Sequence, residues 1–131
     1  MSAVDDVDQL IEQWQLAAGE FVKGNPEPVK KLWSHKEDVT LANPYGPPVR
    51  EFDEVAKTIE HAASLRRDGQ FVGSEIVAKY VTAELAYVVQ LERAKAKVGS
   101  REDIAPIATR STMIFRPEEA PGRWCIGTQT P

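Results

Sequence analysis

Residues 32 to 50 read LWSHKEDVTLANPYGPPVR. The apolar pair Leu32-Trp33 closes a short helical pattern, and the β-branched run from Val39 to Ala42 predicts a short strand. Asn43-Pro44-Tyr45-Gly46-Pro47-Pro48 then holds so many residues that break both helix and strand that a structured turn is expected there. A helix end, a strand and a turn therefore succeed one another within nineteen residues. Whatever fold contains them must change direction twice before its next helix.

Upstream, Val4, Val7, Leu10, Ile11, Trp14, Ala17, Ala18, Phe21 and Val22 recur at steps of three and four, the stripe of one long amphipathic helix. Ser2, three residues before Asp5, is a capping signal at its start. Gly24-Asn25-Pro26 ends it, and Asn25 with Pro26 opens a second, short helix carrying Val29, Leu32 and Trp33. Downstream, Phe52, Val55, Ala56, Ile59, Ala62, Ala63 and Arg66 mark the inner face of a third helix, with Asp68-Gly69 as its stop.

From Phe71 the apolar period changes to two, over residues 71–81, 85–98, 104–116 and 123–129, which predicts four antiparallel strands. The order is ααβαββββ, so the helices must pack on one face of a single sheet in an α+β domain spanning residues 1–131. Strands this long must twist and bend. The bending leaves a concave face under the helices, where a small molecule can sit. Residues 99–103 (GSRED) and 117–122 are hairpin tips, too short to link domains.

Composition narrows the function classes. With 42% hydrophobic and 27% charged residues the chain sits near the globular average, and no apolar run approaches the roughly 20 residues of a membrane-spanning helix. The first residues lack the basic and apolar regions of a signal peptide, so a cytoplasmic protein is expected. Net charge is −4 and the basic residues are scattered, which gives nucleic acid no positive footprint. Cys125 is the one cysteine, and with two isolated histidines it cannot form a standard zinc cage. No metal and no cofactor are expected.

The motifs together resemble a SnoaL-like domain of the nuclear-transport-factor-two-like superfamily, which also holds ketosteroid isomerases and polyketide cyclases. The resemblance rests on Trp33, the run from Asp38 to Arg50, Leu85-Ala86-Tyr87 followed by Glu92-Arg93, and Arg110-Ser111-Thr112 before Phe115-Arg116. It implies a cone-shaped roll: three N-terminal helices on a curved, mostly antiparallel sheet around an internal pocket. It also implies a homodimer formed through the open sheet face. The departures bear on activity. The aspartate base of the isomerases falls at Asn43, and an amide cannot abstract a proton. Their phenol donor falls near Ala17 and their protonated acid near Thr112, so that machinery is absent. Where related sequences carry two alternating histidines after the last tryptophan, this chain has Thr128 and Thr130.

The candidate catalytic residues are Glu92 and Arg110. A hairpin turn centred on Arg101 sets Glu92 across from Arg110 and Gln90 across from Thr112, an ion pair beside a polar pair. Such a pair on the concave face orients a ligand, and on the convex face it is a surface salt bridge; alternation leaves both open. The pairing also implies a lowered Glu92 pKa. Trp33, Asn43, Tyr87, Gln90, Thr112 and Trp124 are the expected ligand contacts. His61 and His35 are expected at the surface, and Cys125 as a buried, inert thiol. The leading expectation is a pocket binding a small, largely apolar molecule. The rivals are an isomerase- or cyclase-type enzyme using Glu92 and Arg110, and a non-catalytic dimeric interaction module.

Overall fold

The computed structural model describes residues 2–43, 46–118 and 123–131. Helix α1 is Ala3–Phe21, and the Ser2 hydroxyl accepts the Asp5 N–H at 3.2 Å to cap it. Val7, Leu10, Ile11, Trp14, Ala17 and Ala18 are its buried stripe, as their spacing requires. Gly24, at φ +97°, makes the turn that follows. Helix α2 is Glu27–Leu32, where the Asn25 side chain accepts the Glu27 N–H at 3.2 Å. Strands β1 (Thr40–Leu41) and β2 (Val49–Arg50) flank the Gly/Pro turn, whose Pro44 and Tyr45 lie outside the described residues. Helix α3 is Phe52–Ser64, and the sheet is completed by β3 (Arg66–Val81), β4 (Ala86–Val98), β5 (Ala105–Glu118) and β6 (Arg123–Thr130).

The strands form one sheet in the order β2-β1-β6-β5-β4-β3, antiparallel throughout except where β1 runs parallel to β6. The architecture is α+β, three helices on a curved, mostly antiparallel sheet. Val7, Trp33, Val39, Val55, Val88, Met113, Phe115 and Ile126 are each at most 1% exposed and form the core between the layers. None of the described helices is long and apolar enough to cross a membrane.

Two expectations are corrected. Strand β2 was not anticipated, because two residues after a Pro-Pro pair carry no period. Asp68-Gly69 does not stop α3, since that helix already ends at Ser64 and β3 starts at Arg66, five residues before the expected Phe71. Asp68, at φ +53°, and Gly69 instead form a bulge between the Arg67–Lys97 and Gln70–Lys95 pairs. A residue favouring the left-handed region serves a bulge as well as a helix cap, and only the ladder tells them apart.

Candidate functional site

The register of β4 against β5 decides which side chains face the helices. Ala86 pairs with Phe115, Val88 with Met113, Gln90 with Ser111, Glu92 with Thr109 and Ala94 with Ile107. Val88, Met113 and Phe115 are core residues, so alternation carries Gln90, Glu92, Thr109 and Ser111 to the same concave face. Arg110 pairs with Leu91 and Thr112 with Val89. The expected Glu92–Arg110 and Gln90–Thr112 pairs are therefore not formed. The hairpin turns half a residue earlier than assumed, and a one-residue slip sends a side chain to the opposite face.

A cavity of about 320 Å³ opens between the concave face and the helices. Trp14, Val29, Ile59, Phe71, Ala94 and Ile107 supply much of its apolar wall; Glu92, Ser111, Asn43 and Arg66 are among its polar points, and the expected Arg110 also borders it. Glu92 is 9% exposed. The Trp14 indole Nε1–H donates to its Oε2 at 3.1 Å, and the Gln90 amide and Ser111 hydroxyl donate to Oε1 at 3.2 and 3.4 Å. Burial raises the Glu92 pKa above the ordinary value, outweighing the Trp14 and Ser111 hydrogen bonds that favour the charged form. With no arginine across from it, the lowered pKa expected from the sequence becomes a raised one. A carboxyl whose pKa is raised by burial is a stronger base than an exposed one.

The other expected contacts divide. Asn43 lines the cavity, and Gln90 is fully buried beside Glu92, its amide oxygen without a hydrogen-bond partner among the described residues. Trp33 is 1% exposed within the core, and Trp124 is half-buried against that core; neither lines the cavity. Tyr87 faces outward, 39% exposed and stacked on Tyr80 at 6.0 Å between ring centres. Thr112, across from Val89, shares that outer face. His61 is exposed, and so is His35, which stacks on Phe52.

Wall residues outside the expected contacts include Trp14, in the apolar stripe of α1, Ser111, between Arg110 and Thr112, and Arg66, which the periodicity puts on the third helix but which begins β3. Met113 and Phe115 hold the missed signal: two large apolar residues in step with Ser111 mark its face as the inner one.

A separate polar cluster lies at the exit of α2. The Arg116 guanidinium donates to Asp38 Oδ2 at 2.8 Å, Glu118 Oε2 at 3.0 Å and the Ser34 hydroxyl at 2.9 Å, tying the loop before β1 to β5. Cys125 beside it is buried, and burial with the nearby Glu118 charge pushes its thiol up to about 12. A thiol that stays protonated is a poor nucleophile. The described residues contain no cluster of histidine, cysteine and carboxylate able to hold a metal ion.

Solved structures share this overall fold. A ketosteroid isomerase-like protein from Erwinia carotovora atroseptica superimposes with TM-score 0.74 at 18% identity, covering 93% of this chain and 88% of that one. A nuclear transport factor 2 superfamily protein from Salmonella enterica serovar Typhimurium gives 0.72 at 14% identity, over 95% and 86%. The chain has the nuclear-transport-factor-two-like fold. A nuclear-transport-factor-two-like protein of unknown function from Shewanella oneidensis gives 0.66 at 16% identity, over 98% and 97%. No protein-family model matches the sequence, and no curated protein does. Within this fold, Trp14 lies one helical turn before the Ala17 position where the resemblance located a phenol donor, and its indole N–H is spent on Glu92.

Proposed function

We propose that this protein binds a small, largely apolar molecule in the cavity. The observation that carries the reading is a mostly apolar cavity with a few polar groups in its wall, the usual make-up of a site in which shape gives affinity and a polar contact gives orientation. The proposal includes the cytoplasmic location expected from the sequence. Ala94 stands mid-floor, paired with both Phe71 and Ile107. Octan-1-ol is expected to bind the wild-type chain at one molecule per protomer in calorimetry. Ala94→Phe, which fills the floor, is expected to weaken it at least tenfold while the circular dichroism spectrum is retained; equal binding by the variant sinks the reading.

A proton-transfer enzyme of the isomerase or cyclase type is the second reading, favoured by the raised pKa of Glu92. In it Glu92 is the acid–base group, and Trp14 and Ser111 hold its two oxygens. The register gives Arg110 no direct contact with Glu92, so we leave Arg110 out of the proposed chemistry.

We also propose that two copies pair through the open face of the sheet, which bears on the interaction-module reading. Tyr80 and Tyr87 are 60% and 39% exposed there, and alternation places Val89, Leu91 and Ile114 beside them, an apolar patch that a partner surface would cover. Native mass spectrometry is expected to give twice the 14.6 kDa chain mass, reduced to one chain by Tyr87→Arg. A wild-type monomer at micromolar concentration refutes the pairing.

A further inference from the structure

Among the described residues that line the cavity, the ionisable side chains are Glu92, Arg66 and Arg110. Arg110 is an exposed residue whose register directs it to the outer face. Arg66 differs in place and setting. It is the first residue of β3, partly buried, and enters the cavity wall where α1 and α3 finish, beside Phe21, Val22 and Ala62. The helix carbonyl ends there favour a cation, so a guanidinium is tolerated at the edge of an apolar space.

The ladders give the spacing between the two polar points. Arg66 pairs with Val98, and Glu92 lies six positions back along β4. That is about 20 Å of backbone at the usual strand rise, from which the reach of the long arginine side chain subtracts. Phe71, Ala94 and Ile107 are cross-strand neighbours on three adjacent strands and fill the interval as an apolar floor. The cavity is therefore a strip with a cation toward one end, hydrocarbon in the middle, and a carboxyl held by three donors at the other.

We propose that the ligand is an amphipathic anion: an apolar body carrying one carboxylate, seated with the carboxylate against Arg66 and the body over Phe71, Ala94 and Ile107 toward Glu92. This deepens the binding reading above and rests on it. A guanidinium presents its donors as a fork that matches a carboxylate. An ionised Glu92 would oppose an anion, and its raised pKa lessens that opposition. The long axis of the floor suits an unbranched alkanoate or a flat aryl-alkanoate better than a compact acid.

Octanoate and octan-1-ol share one alkyl chain and differ at the head, so the ratio of their affinities reports the anion contact. At about pH 7.5 octanoate is ionised. Calorimetry on the full chain is expected to show octanoate about tenfold tighter than octan-1-ol, the scale of a charge-assisted hydrogen bond. Arg66→Met is expected to bring the ratio to about one, and Arg66→Lys to restore most of it. A wild-type ratio near one, or a ratio unchanged in Arg66→Met, overturns the proposal and leaves the apolar-pocket reading standing. If Arg66→Met does not fold, the wild-type ratio and its persistence in Arg66→Lys still decide. Neither probe binding overturns the pocket reading and this proposal with it.

Discussion

Gly69→Ala is expected to destabilise the protein by about 3 kcal/mol or more and to lower its melting temperature by roughly 10 °C. A Cβ at residue 69 would lie 2.1 Å from the Val22 carbonyl oxygen and 2.6 Å from both its carbonyl carbon and its Cβ. Atoms at such distances repel steeply, and these belong mainly to backbone, which cannot rotate aside as a side chain would. Val22 caps α1, its N–H bonded to the Ala18 carbonyl, so relieving the clash means lifting the helix end off β3. The same movement would displace Phe21 and Val22 from the cavity wall. Gly73→Ala in the same strand is the control: nothing lies within 4 Å of its added Cβ, and the change is expected to be near neutral. Thermal melts followed by circular dichroism compare the two. Equal melting temperatures would contradict the close approach of α1 to the bulge.

Glu92→Gln is expected to separate stability, binding and any turnover. Burial raises the folded-state pKa of Glu92 above its unfolded value. Its contribution to stability is therefore full below the unfolded pKa, and is lost as pH rises through the folded pKa, where the charged carboxylate must stay buried. Each unit of difference between the two pKa values corresponds to about 1.4 kcal/mol. Glutamine is neutral at every pH and keeps an oxygen for the Trp14 indole. The variant should therefore gain stability over wild type as pH rises above the ordinary glutamate pKa, about 4. A difference that stays flat, or that favours wild type at the alkaline end, would show that Glu92 is ionised in the folded protein at little cost. If the protein moves protons, the same variant should lose a factor of about 10² to 10⁴ in turnover while still binding octan-1-ol. Unchanged turnover would exclude Glu92 as the acid–base group.

The two variants probe different layers of the molecule. Gly69 fixes how closely α1 approaches β3, and hence the shape of the cavity at the Arg66 end. Glu92 sets the chemistry of its other polar point. A pocket can keep its shape and lose its chemistry, or the reverse, and the paired results distinguish these cases.

The amino-acid sequence by itself determined the helices, the long strands and their order. The stripe from Val7 to Ala18, the breakers between Asn43 and Pro48 and the two-residue period after Phe71 are local patterns, each set by residues close along the chain. Glu92 was also legible as the carboxyl to watch. Only the tertiary structure decided its partners. Whether it faced Arg110 or lay beneath Trp14 depended on a half-residue shift in the β4–β5 turn, and both registers satisfy local propensity about equally well. The bulge at Asp68-Gly69, the delivery of Arg66 to the cavity and the removal of Trp33 into the core have the same cause. Each depends on contacts between segments far apart in sequence, which local patterns do not encode.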